Sequence, residues 1–169
     1  DENVDYIDSD DRSLVYSVNL GGVIRKHHKV AVSHTQIGKQ GRFLFPRELG
    51  RERFYSSIPR SWIEGAGGVQ ATSFKYQWAS KNKSIKEAVA ISYVDMPGLE
   101  SYQLNKYGIG DNLQFNVQTK WKPTRLGERM MVEFLYIYRK NLEEGLEESP
   151  AIFNKANFHQ FNLITNFKF

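Results

Sequence analysis

Residues 112 to 121 alternate without a break. Leu113, Phe115, Val117, Thr119 and Trp121 fall on one side, and Asn112, Gln114, Asn116, Gln118 and Lys120 on the other. Successive side chains of a strand point to opposite faces, so this stretch is a strand with one apolar and one polar surface. The same period governs six further stretches, at 13–25, 29–39, 69–78, 85–94, 129–140 and 157–169. Within them Leu14, Tyr16, Val18 and Leu20 oppose Ser13, Val15, Ser17 and Asn19; Thr72, Phe74, Tyr76 and Trp78 oppose Ser73, Lys75 and Gln77. Ile85, Val89, Ile91 and Tyr93 oppose Lys86, Ala88, Ala90 and Ser92, with Glu87 the one misfit, and Met130, Val132, Phe134, Tyr136 and Tyr138 oppose Arg129, Met131, Glu133, Leu135, Ile137 and Arg139. No segment carries a helical period, and no propeller or solenoid repeat is present. The expected class is all-β and antiparallel.

The connections decide which all-β architecture to expect. They alternate short and long: 26–28, 81–84 and 122–128 are short, while 40–67, 95–111 and 141–156 are long. A soluble sandwich has no reason to keep every long loop at one end, whereas antiparallel transmembrane barrels pair tight turns with long external loops. The final stretch, 157–169, is about 13 residues and therefore longer than an ordinary strand of roughly 5–6. Its faces are Phe161, Leu163, Thr165, Phe167 and Phe169 against Gln160, Asn162, Ile164, Asn166 and Lys168. Trp78, Trp121, Tyr136, Tyr138, Phe167 and Phe169 sit toward strand ends, where amphipathic rings form the girdles of a membrane barrel. The expectation is a transmembrane β-barrel whose apolar faces meet lipid. Seven strands are an odd number, and an unpaired edge in lipid is costly. The sequence therefore predicts the C-terminal portion of a larger barrel, with the remaining strands as its partners.

Composition narrows the chemistry. Cysteine is absent, which excludes disulfide scaffolds, thiolate metal sites and cysteine nucleophiles. No apolar run reaches the length of a spanning helix, but barrel strands need apolar residues only at alternate positions. Residues 1–11 carry six acids and no base, leaving 13 acids against 23 bases from Arg12 onward. Asp8, Asp10 and Asp11 lack the Gly and distal Glu of a calcium loop and read as an exposed acidic segment. The basic excess is spread along the chain rather than gathered in one patch, so nucleic acid is not an expected partner. Ser, His and Asp residues show no catalytic spacing, and the adjacent His27 and His28 read as turn residues. His34 and His159 read as strand or interface residues. No enzyme, metal or cofactor is expected.

The stretch 40–67 interleaves Arg42, Arg47, Arg51, Arg53 and Arg60 with Phe43, Phe45, Phe54, Tyr55 and Trp62. A loop of that length is functional or disordered as a rule, and its aromatics argue that it packs on something. The Gly65–Gly68 run is too short and wrongly placed for a phosphate loop. On the polar strand faces Lys75, Lys86, Lys120, Arg129, Arg139 and Lys168 stand against the single acid Glu133. If those faces line a lumen, they are its pore-lining residues. The loop's arginines, folded inward, would add planar forks at a constriction. Such a row raises the local concentration of anions unless acids elsewhere neutralise it.

Three stretches carry a more specific resemblance. Residues 41–50 (GRFLFPRELG), followed by Pro59, Arg60, Glu64 and Gly65, resemble an external loop of OprD-type outer-membrane porins. Residues 104–108 (LNKYG) and 158–163 (FHQFNL) are similar to that family too, and the chain's aromatic end resembles the closing strand read by the barrel-insertion machinery. The resemblance implies an 18-stranded channel in the outer membrane of Gram-negative bacteria, set in outer-membrane lipid. It would pass small hydrophilic solutes, often carboxylates or amino acids, with Phe169 as the insertion signal. Two other functions are open to the residues alone. One is a soluble β-sandwich or β-barrel binding module gripping its ligand through the arginine-aromatic loop 40–67. The other is a plugged barrel acting as a receptor or anchor.

Overall fold

A computed structural model of the chain describes residues 12–44, 54–61, 63–123, 129–143 and 157–168. Seven strands form one antiparallel sheet in simple chain order: β1 (Val15–Ile24), β2 (His28–Ile37), β3 (Gln70–Ala79), β4 (Ile85–Asp95), β5 (Asn112–Trp121), β6 (Met130–Asn141) and β7 (Phe158–Phe167). There is no α-helix among the described residues. The sheet is open: β1 and β7 are its edges and do not pair with each other. The alternating stretches and the strands coincide to within a few residues. His28 differs from its expected place in a turn. It opens β2, and its Nδ1 lies 2.7 Å from the Tyr76 hydroxyl on β3. Arg25 takes over the turn, with φ 58°.

The register divides every strand into the same two faces. One cross-strand row reads Gly21, Ala31, Lys75, Ala90, Asn116, Ile137 and Gln160. It begins near the short-turn end of β1 and finishes near the long-loop end of β7. The strands are therefore staggered, as they are in a sheet that curls toward a barrel.

The two faces have opposite chemistry and opposite exposure. The row Val32, Phe74, Ile91, Phe115 and Tyr138 continues into a surface that also holds Leu20, Tyr93, Phe134, Phe161 and Leu163. Most of these side chains are exposed, Phe161 at 68% and Leu163 at 72%. The opposite face carries Ser33, Thr35, Ser73, Ser92, Asn112, Gln114 and Asn116, all buried. Asn112 is tied to Gly110 O of the β4–β5 connection, and Thr35, Gln114 and Asn116 are covered by the connection between β2 and β3, which folds back over the sheet as an insert.

An apolar cluster nails that insert down at the long-loop end. Phe54, Ile63 and Ala66 of the insert pack with Ile37, Val69, Ala71, Val94 and Met96. The rings of Phe43 and Phe54 meet at 5.3 Å. The Gly65–Gly68 run serves this packing: Gly67 N donates to Leu104 O at 2.9 Å, and a Cβ at Gly67 would collide with the carbonyl of Gly41. Leu104 belongs to the β4–β5 connection, which Asn105 organises. Its amide donates to Pro97 O and Ile109 O and accepts from Ile109 N, at 2.8–2.9 Å. Such a fully bonded side chain tolerates its burial at 1% exposure.

Candidate functional site: the insert over the polar face

From its apolar base the insert reaches out as a tip, residues 55–61, which buries the Ile58 side chain and is tied to the sheet by hydrogen bonds. Ser56 Oγ donates to Thr35 Oγ1 at 2.8 Å, and Thr35 is in turn 2.7 Å from Ser17 Oγ. Tyr55 N donates to Ser17 Oγ at 3.1 Å. Lys75 Nζ donates to Tyr55 O at 2.6 Å and Ser57 O at 2.8 Å. On the far side Pro59 O accepts from Gln114 Nε2 at 2.6 Å and Asn116 Nδ2 at 3.0 Å. The tip thus crosses from β2 to β5 and spans β3 and β4. It fits there because the strands beneath it present small side chains: Ala71 and Ser73 on β3, Ala90 and Ser92 on β4. Larger residues would hold it off the sheet. At its end Arg60 is exposed and adopts the left-handed region, φ 68°, which a side chain with a Cβ takes up only at some cost.

The bases expected on the polar face share it by register. Lys75, Lys86, Lys120 and Arg139 lie on paired rows of that face, and Arg129 and Lys168 meet where Lys168 N donates to Arg129 O at 2.8 Å. They are not one uniform row. Lys120 pairs with Glu133 at 3.3 Å, and Gln118 Nε2 also donates to that carboxylate, so Lys120 is neutralised within the sheet. Lys75 is committed to the insert. Arg139 stands in register with Gln114, close to the tip's far anchor. Of the loop arginines, Arg60 is carried on the tip and Arg42 is half-buried at the base; Arg47, Arg51 and Arg53 lie outside the described residues.

Trp78, Trp121 and Phe167 stand on the apolar face at the short-turn end. Tyr138 stands on the same face toward the long-loop end, stacked on His159 at 4.6 Å. Tyr136 differs from the expected strand-end position. It lies farther into β6, where its hydroxyl is 2.9 Å from His159 Nδ1 and its ring packs at 4.8 Å on Phe161. Phe169 lies outside the described residues, as do residues 1–11, most of the 141–156 loop and most of the 122–128 turn. His34 faces the same apolar side and sits 2.9 Å from Thr72 Oγ1.

The residues that hold the tip (Thr35, Ser56, Gln114 and Asn116) are absent from the set of charged residues singled out by sequence. The small residues between them, Ala71 and Ser73 on β3 and Ala90 and Ser92 on β4, are visible in the sequence, but no pattern within one strand marks Thr35, Gln114 or Asn116 as the seat. Comparison with protein-family models, curated proteins and solved structures finds no match.

Proposed function

We propose that this sheet is part of the wall of an outer-membrane channel for passive, selective diffusion of small hydrophilic solutes, of the OprD type. The observation that carries the reading is the inverted polarity of the sheet. The most exposed large apolar side chains of the sheet include Leu20, Phe161 and Leu163, while fully covered ones on its other face include Thr35, Ser73 and Gln114. A soluble antiparallel sheet covers its apolar face and wets its polar one. Lipid outside and water inside reverse that preference. From Phe167 at the short-turn end to Tyr138 near the other, β6 residues 130–138 run about 27 Å along the strand, at roughly 3.4 Å per residue. Tilted by about 40°, that run rises about 21 Å, most of an apolar band of about 25 Å. In this reading β1 and β7 pair with further strands that close the wall, because open edges in lipid are too costly. The barrel-insertion machinery would be a partner, and Lys75, Lys86, Arg129, Arg139 and Lys168 would face the water column with the insert beside them.

Two measurements test this. The protein should need detergent for extraction and should conduct in planar bilayers. Recovery in the aqueous fraction would favour the soluble binding module. Detergent extraction without conductance would favour the plugged receptor, for which the insert lying on the polar face speaks. Reversal potentials under a salt gradient should show anion preference, reduced when Lys75, Lys86 and Arg129 are made neutral. A cation preference untouched by those changes would defeat the selectivity part of the proposal.

A further inference from the structure

One cross-strand row passes directly beneath the tip: Ser33, Ser73, Ser92, Gln114 and Arg139. Ser33 Oγ donates to Asn19 Oδ1 at 2.8 Å. The next three members are different. Ser73 Oγ, Ser92 Oγ and Gln114 Oε1 are buried and have no hydrogen-bond partner among the described residues. Ser73 and Ser92 are each 1% exposed and Gln114 is 0%. The orientation of the Gln114 amide is fixed by its nitrogen, which donates to Pro59 O and to Asn116 Oδ1 at 3.0 Å. Flipping it would set an oxygen against two acceptors. Its Oε1 is therefore an open acceptor.

We propose that ordered water fills the seam between the tip and the sheet, held on Ser73 Oγ, Ser92 Oγ and Gln114 Oε1, and that this water helps to seat a tip that can lift off the wall. Three unpaired polar atoms in a row, each removed from bulk solvent, add their desolvation costs if the seam is dry. Directly opposed strand residues have Cβ atoms about 4.5–5.5 Å apart, a gap that one water bridges with two ordinary hydrogen bonds. Ala90, diagonal to Ser73 on β4, adds little bulk beside the row. The donor set also selects water over other occupants. Two hydroxyls that both give and accept, next to one carbonyl acceptor, suit a neutral molecule that does the same. The Lys75 ammonium, two residues along β3 from Ser73, disfavours a cation. An apolar occupant would leave all three atoms unpaired.

Water also sets how firmly the tip is held. Apart from the buried Ile58 side chain its direct ties are polar, and each of those has an aqueous substitute once the seam opens, unlike the packing of Phe54 and Ile63 at the base. The strained backbone at Arg60 favours release.

The test uses the absence of cysteine from the chain. Ser61, buried at the root of the tip with its amide 2.9 Å from Ile58 O, becomes a single reporter as Ser61→Cys. Its rate of reaction with a small thiol reagent measures how often the tip lifts in the intact, detergent-solubilised protein. Lys75→Met removes two direct ties and should speed labelling about tenfold or more, the loss expected for hydrogen bonds to a charged group. The pair Ser73→Ala and Ser92→Ala removes no direct tie, yet should speed labelling about 3- to 10-fold by removing the water's anchors. Labelling that is unchanged or slower in the serine double variant means a dry seam and overturns the proposal. Insensitivity to Lys75→Met overturns the lifting tip. A high-resolution structure should show water within about 3.2 Å of both hydroxyls, and an empty seam there is equally fatal. None of these outcomes depends on whether the protein conducts.

Discussion

Ile91 and Ser92 are neighbours in the chain and meet opposite fates. Ile91 is 40% exposed and Ser92 is 1% exposed. The same inversion runs along the sheet, at Phe74 beside Ser73 and at Phe115 beside Gln114 and Asn116. Burial here does not sort residues by hydrophobicity. It follows which face receives the insert. On the covered face the cover itself is divided, with an apolar base that behaves like a small protein core and a tip that buries one large apolar side chain, Ile58, and is otherwise tied by hydrogen bonds. The sheet teaches that coverage and hydrophobicity are separable when a loop supplies the cover.

The strongest way to break the contrast is to remove the cover's anchor. Phe54→Ala should cost about 3–5 kcal/mol, the usual range for a buried phenylalanine. Denaturant unfolding and faster thiol labelling at Ser61→Cys would both report it. A midpoint unchanged within error would mean that the base does not hold the insert.

Next comes a pair of substitutions on adjacent residues of β7. Leu163→Lys should cost roughly 2–4 kcal/mol if that position lies near mid-bilayer, whereas Asn162→Lys on the opposite face should stay within about 0.5 kcal/mol. Folding yield into lipid vesicles separates them. Equal, small effects would mean that the apolar face meets water rather than lipid.

A smaller effect is expected at the far tie of the tip. Asn116→Ala leaves Pro59 O with only the Gln114 donor and should cost about 1 kcal/mol, visible as a modest fall in the unfolding midpoint. The smallest concerns charge. Glu133→Gln frees Lys120, whose side chain is 38% exposed, so the stability change should be only a few tenths of a kcal/mol. Anion preference in reversal-potential measurements should nonetheless rise.

The strands and their faces were legible in the sequence because a period of two is a local property. Even the misfit Glu87 lies on the apolar face, in register with Trp78 and Thr119. That the 40–67 loop packs on something was readable from its aromatics, and Phe43 and Phe54 do pack in the apolar base. Its seat was not. Pro59 meets Gln114 and Asn116 across more than fifty residues of chain, and nothing near Pro59 encodes that meeting. The neutralisation of Lys120 needed register as well. Lys120 and Glu133 are thirteen positions apart and become neighbours only because β5 and β6 pair as they do. Face assignments follow from one strand at a time, while pairings need the whole sheet.

The tip's two ends bear on the shape of the wall. Ser56 is tied to β2 and Pro59 to β5. Along the sheet those strands are three spacings apart, about 14 Å at roughly 4.8 Å each. Three residues of chain reach at most about 10–11 Å. The segment is thus shorter than the arc it subtends and works as a chord, with the side chains of Ser56, Gln114 and Asn116 making up the difference. A chord opposes flattening. While the tip is seated, the radius of curvature between β2 and β5 is set from inside the bow, and lifting it would let those four strands relax outward.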